Sequence, residues 1–179
     1  MVDSQLRTNG VTDAALVASF ASVPRETFVP PERASLAYAD APLPIGEGRV
    51  LNPPLVTARL FVEADVSLGE KLLIIGTAPA YAAAIAERLG CVVTAATSDV
   101  DLPAGPFDAV LIDGAIEAMP EALVAALREG GRIVCGLTEG GVTRLAVGVK
   151  RGGHVALRSF ADYDVVPMPG FERPKVFSF

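Results

Sequence analysis

The sequence predicts an α/β protein: a doubly wound, mostly parallel sheet that ends in an antiparallel C-terminal hairpin. Three observations carry this reading. Continuous apolar runs at residues 71–76, 91–96, 107–112 and 132–137 read as strands buried on both faces. Amphipathic segments at 79–89 and 120–128 alternate with them, as crossovers between parallel strands require. Finally, residues 142–149 and 155–160 flank Lys150-Arg151-Gly152-Gly153, a turn signal joining two neighbouring antiparallel strands.

Taken in order, residues 14–21 read as a helix with Leu16, Val17 and Phe20 on one face and Thr12 as its N-cap. Between Val23 and Pro54, seven prolines block long helices and central strands, so this stretch is expected to be an ordered loop layer over the sheet. Residues 55–64 are helical in pattern. Gly76 follows the first apolar strand, and Pro79 and Gly90 punctuate the start and end of the next helix. Residues 176–179 are expected to add a short terminal strand. The 179 residues are read as one domain, with 1–64 a helical and loop layer and 65–179 the core.

Composition narrows the partners. A net charge of −6 lacks the basic footprint of a nucleic-acid binder. Mean hydropathy is +0.43, but no run of about 18 residues is free of charges or breakers, so no membrane span is expected. The N-terminal residues carry an acid early and no apolar stretch, which argues against a signal peptide and for the cytoplasm. Cys91 and Cys135 lie in apolar runs with no ligand-spaced Cys or His, so both are expected to be buried thiols, and no metal is expected. His154, the only histidine, stands beside the Gly-Gly turn and reads as an exposed turn residue. Arg25-Glu26 reads as an ion pair within the loop layer.

Several segments carry a specific resemblance. Val23-Pro24-Arg25-Glu26-Thr27-Phe28-Val29-Pro30, Ala37-Tyr38-Ala39-Asp40, Leu43-Pro44-Ile45-Gly46 and Asn52-Pro53-Pro54 resemble, in the same order, V-P-R-E-x-F-V-P, A-Y-x-D and L-P-I-G-x-G-Q-T-I-S-x-P of the protein-L-isoaspartate O-methyltransferases. Downstream, Pro106-Phe107-Asp108-Ala109-Val110-Leu111-Ile112, Met119-Pro120-Glu121-Ala122-Leu123 and Arg128-Glu129-Gly130-Gly131-Arg132-Ile133-Val134 are similar to that family's P-F-D-A-I-I-V, V-P-x-A-L and L-K-x-G-G-R-L-V. The resemblance implies a Rossmann-like class I methyltransferase fold, S-adenosylmethionine as cofactor, and a protein or peptide carboxylate as substrate.

It also places the candidate site. Leu73-Ile74-Ile75-Gly76-Thr77-Ala78-Pro79-Ala80-Tyr81 resembles L-E-I-G-T-G-S-G-Y, which assigns Gly76, Thr77, Ala78, Ala80 and Tyr81 to the cofactor loop. Here two glycines of the pattern are Ala78 and Ala80; glycine permits positive φ and close backbone approach, so the added methyls are expected to intrude on the cofactor. Pro79 removes a backbone N–H from the helix mouth. Ala96 stands where the pattern has an acid for the ribose hydroxyls, with Asp99 or Asp101 as substitutes if the strand runs longer. Residues 97–106 are too few for the helix-and-strand unit that the family has there, a crossover needing at least about 10 to 12 residues. An edge unit is therefore expected to be missing.

On the substrate side, Leu51, Asn52, Pro53 and Pro54 match the acceptor loop, with Asn52 in place of Ser and Leu55 in place of His; Asn52 could donate to a carboxylate. Asp113, ending the third strand, reads either as a ligand or proton acceptor or as a cap of the next helix. The expectation drawn from these departures is a non-catalytic or weakly active relative that binds protein. It would expose a sheet edge at residues 91–96 suited to a partner or a second copy. The alternative is an active S-adenosylmethionine-dependent methyltransferase that esterifies isoaspartyl carboxylates for protein repair, and a transferase for another small ligand stays open behind both.

Overall fold

A computed structural model describes residues 1–97 and 102–173. Asp99, Asp101 and the terminal strand expected at 176–179 lie outside the described residues. A six-stranded sheet runs in the order β4-β3-β5-β6-β7-β8. Its strands are β3 (Lys71–Ile75), β4 (Val92–Ala96), β5 (Phe107–Ile116), β6 (Leu127–Glu139), β7 (Val142–Arg151) and β8 (His154–Asp162). The pairs β3–β4, β3–β5 and β5–β6 are parallel, whereas β6–β7 and β7–β8 are antiparallel. The sequence-derived fold class holds.

The apolar strand runs divide between two faces with the period of two that a pleated strand imposes. Leu72, Ile74, Ala109, Leu111 and Val134 face a cluster shared with α1 (Ala14–Ser22), α2 (Pro54–Ala64) and α3 (Ala80–Arg88). Leu73, Ile75, Val110, Ile112, Ile133 and Cys135 face α4 (Glu121–Ala126) together with Met168 and Phe171. Cys91 and Cys135 are both buried and free, and burial pushes the Cys135 thiol up to about 12.

Local chemistry shifts several boundaries. The N-cap of α1 is Asp13, not Thr12, and its carboxylate accepts the Leu16 N–H at 2.7 Å. Helix α4 is shorter than the 120–128 pattern because the chain is extended again at Leu127. The loop layer contains a small hairpin, β1 (Leu43–Gly46) with β2 (Arg49–Leu51), that Pro44 had argued against. Pro44 is tolerated because this ribbon is two-stranded and offers a free edge. The hairpin between β7 and β8 turns on Gly152 and Gly153, with φ of 57° and 80°, as expected of consecutive left-handed residues.

After β8 the chain crosses back as a strap. Ala115 donates to Val166 O at 2.7 Å and accepts from the Met168 N–H at 2.8 Å, while Glu117 donates to Phe171 O at 2.9 Å. Gly114 makes this crossing possible: a Cβ there would stand 2.3 Å from Met168 Cγ and 3.2 Å from Val166 O.

Candidate functional site

The site is built at the carboxyl ends of β3, β4 and β5, where the strand order reverses and open α/β sheets bind ligands. Strand β3 ends at Ile75, and the Gly76 N–H is held by Ala96 O at 3.2 Å. Residues 76–79 then turn into α3, whose N-cap is Pro79. Ala78 is half-buried against the core, Ala80 is exposed, and Tyr81 in the first turn is completely buried. The Tyr81 ring meets Phe20 and Phe28 edge-on, with centroids 6.0 and 5.5 Å away.

Ala78 and Ala80 make no use of the backbone freedom that glycine provides. Among the described residues, positive φ outside glycine occurs only at Glu47 and Asp65. The two alanines therefore occupy ordinary backbone conformations, and their methyls cost this loop no strain. Gly76 keeps its own reason, since a Cβ there would lie 3.4 Å from Asp113 O and 3.5 Å from Asp113 Cβ.

Thr77 does more than line the loop. Its hydroxyl donates to Val50 O at 2.8 Å and accepts from Val50 N–H at 3.0 Å. The loop after β3 is thereby stitched to β2, the strand that leads directly into Leu51, Asn52, Pro53 and Pro54. All four of those side chains are buried. Asn52 is saturated: Nδ2 donates to Asp113 O at 2.8 Å and Asp113 Oδ1 at 3.1 Å, and Oδ1 accepts the Val166 N–H at 2.9 Å. The expectation that Asn52 offers a donor to a substrate carboxylate meets a residue whose amide is already occupied on both sides.

Asp113 does not close its strand. Strand β5 runs on to Ile116, and residues 112–114 bulge opposite Cys135 because the register slips between Leu111 and Ala115. Nor does Asp113 cap α4. Its carboxylate accepts from Asn52 and from the Thr57 hydroxyl at 3.1 Å, and burial, opposed by Arg25, raises its pKa above the usual carboxylate range.

Arg25 is 0% exposed. Its Nε donates to Ala37 O at 2.6 Å, its Nη2 donates to Asn52 O at 2.5 Å, and its Cζ lies 4.6 Å from the Tyr81 centroid. Arg25 Nη1 and the Tyr81 hydroxyl are buried without a hydrogen-bond partner. The expected Arg25–Glu26 ion pair is not formed; the exposed Glu26 takes the Tyr38 hydroxyl instead. Sequence reading missed Arg25 and Thr57 as parts of this cluster. Arg25 could have been found through its place in the resembling segment, whereas Thr57, inside a helical pattern, gave no signal.

Around these buried groups, the partly or fully exposed residues at this end of the sheet include Val50, Thr77, Ala78, Pro79, Ala80, Ala96 and Thr97. No group of three or more metal-ligating side chains occurs among the described residues.

A doubly wound sheet with its candidate site at the switch point, beside an ordered N-terminal layer, defines a Rossmann-like α/β architecture. The family model for protein-L-isoaspartate(D-aspartate) O-methyltransferase matches residues 1–101 and 100–172, and the chain belongs to that family. A protein-L-isoaspartate O-methyltransferase of Methylorubrum populi is 33% identical, with 94% of this chain and 92% of the relative aligned. One from Methylorubrum extorquens is 32% identical over 94% of this chain and 86% of its own. Among solved structures, a putative protein-L-isoaspartate O-methyltransferase from Plasmodium falciparum in complex with S-adenosyl-L-homocysteine superposes with a TM-score of 0.76 at 16% identity, covering 93% of this chain and 96% of that one, a likeness of fold.

These matches also locate the missing unit. The alignment to the first relative spans 196 positions against the chain's 179, and the family model breaks at residues 100–101. Strand β4 is accordingly the edge of the sheet.

Proposed function

We propose that this protein is an S-adenosylmethionine-dependent methyltransferase that esterifies isoaspartyl carboxylates of cytoplasmic proteins, folding as one unit over residues 1–179. The observation that carries the reading is the Thr77–Val50 stitch, which sets the family's cofactor loop directly against the strand entering its acceptor loop. Gly76, Thr77, Ala78 and Ala80 turn without strain, and Tyr81 and Arg25 hold unspent hydrogen-bonding atoms beneath the loop.

When bound, S-adenosylmethionine supplies an electrophilic methyl group. A carboxylate is ionised at neutral pH, so the acceptor needs no general base, and the protein's work is to position two reactants and exclude water. Asp113 is free of an acid–base duty and is engaged in structure. Leu51, Asn52, Pro53 and Pro54 give the acceptor side a fixed wall rather than a mobile hand.

A second reading, a non-catalytic protein-binding relative, is favoured by one observation: β4 ends in Ala96 instead of an acid, with the neighbouring unit gone. Titration calorimetry with S-adenosylmethionine and S-adenosylhomocysteine, followed by mass spectrometry of an isoaspartyl peptide and its aspartyl isomer, separates the two. Micromolar binding and a methyl gained only by the isoaspartyl peptide support the enzyme. Absence of heat at millimolar ligand, with both peptides unchanged, transfers the assignment to the binding module.

A further inference from the structure

We propose that Asn52 is a positioning residue, the central link of a buried polar relay, Tyr81–Arg25–Asn52–Asp113, that fixes the acceptor loop between the cofactor loop and the C-terminal strap. Asn52 stands where the resembling pattern has Ser, and the buried Asp113 carboxylate is what its amide meets.

Its links are all on the same few residues. Arg25 rests on Tyr81, which stands in the first turn of α3, and donates to the backbone oxygen of Asn52 at 2.5 Å. The Asn52 side chain then reaches in two directions at once, giving Nδ2 to Asp113 and taking the strap's Val166 N–H on Oδ1. A serine offers one oxygen and cannot span both partners; an amide carries donor and acceptor on separate atoms. Asp113 receives only donors, from Asn52 and Thr57, which suits a carboxylate whose charge faces the Arg25 guanidinium. Removing Arg25, Asn52 or Asp113 leaves a buried polar atom unpaired, and that asymmetry makes such networks rigid. The consequence is that the acceptor loop and the strap move as one body, held in register with Tyr81.

The catalytic part of this inference rests on the methyltransferase reading, and the test keeps the two apart. In Asn52→Asp, a second carboxylate is set against Asp113 while the acceptor for Val166 is retained; adding Asp113→Asn restores a donor opposite it. Amide hydrogen exchange at Val166 should accelerate about tenfold or more in the single variant, because a carboxylate at 52 is repelled by both Asp113 oxygens that Nδ2 now meets and swings away from the strap, and should recover at least about threefold in the double variant, where an amide at 113 can donate to it although the backbone oxygen there stays without its donor. KM for an isoaspartyl peptide should follow the same loss and rescue, with kcat and S-adenosylmethionine affinity within about twofold of wild type. Rescue on exchanging polarity is something a space-filling role would not produce. If Asn52→Asp does not fold, a folded double variant supports the relay equally. Wild-type exchange at Val166 in the single variant, or no recovery in the double, overturns it. A protein that methylates nothing yet shows loss and rescue of exchange refutes the enzyme reading and leaves the relay standing.

Discussion

Arg25 illustrates how far a charge can be driven inside when two of its donors find backbone carbonyls. Burial lowers its pKa, opposed by Tyr81 and Asp113, and its fork satisfies carbonyls that nothing else reaches. Arg25→Met should cost about 3 kcal/mol or more in urea unfolding, because Ala37 O and Asn52 O lose their donor and Asp113 keeps an uncompensated charge. Arg25→Lys should not restore it, since an ammonium lacks the planar fork. Asp113 adds a pH signature. Its folded pKa is raised above the unfolded value of about 3.9, so the folded state binds this proton more tightly. That contribution is present in full below the unfolded pKa and is lost as pH rises through the folded one. Asp113→Asn, measured against wild type over a series of pH values, should therefore gain relative stability as pH increases. A flat difference would mean that the carboxyl is not penalised by burial. The sequence flagged Arg25 only through the resembling segment and paired it with Glu26 in the loop layer; the tertiary contacts show that Arg25 goes inside and Glu26 stays out.

Elements whose own pattern decides them were legible; elements decided by a neighbour were not. Strands β3, β5 and β6 announce themselves because parallel strands covered on both faces must be apolar throughout. The helices at 55–64 and 79–89 carried their punctuation within one or two residues of the observed ends. The strap has no periodicity of its own; it is held by Ala115, Glu117 and Asn52, residues distant in sequence. Gly114 is the element-scale test of that arrangement. Gly114→Ala should destabilise by about 1–3 kcal/mol, since Met168 must swing aside and Val166 O sits tight against the new methyl. Chemical denaturation would measure the loss, and proteolysis should cut the strap faster. The loop after β3 stands between the two cases. Its sequence gave the right position at the end of β3, but the conformations of Ala78 and Ala80 followed from the packed backbone rather than from the pattern.

At the scale of the molecule, losing a helix-and-strand unit from the end of a sheet leaves the remaining ladder intact, and the order β4-β3-β5-β6-β7-β8 shows the cut made where it disturbs least. It also leaves β4 with one pairing partner and Val92 57% exposed on it. Such an edge is a site for strand pairing unless charge or twist discourages it. Val92→Lys should leave unfolding stability within about 0.5 kcal/mol of wild type if the edge stays free in solution. Should the edge join a second copy, light scattering would show the same substitution reducing the mass toward that of one chain.

The Thr77 hydroxyl holding both the amide and the carbonyl of Val50 has a thermodynamic corollary. The lips of the crevice are fastened before any guest arrives, so whatever docks there surrenders little of its binding free energy to quieting loose chain. A preformed mouth of this kind discriminates by shape at first encounter, and severing that single fastening with Thr77→Val should slacken selectivity before it unsettles the fold.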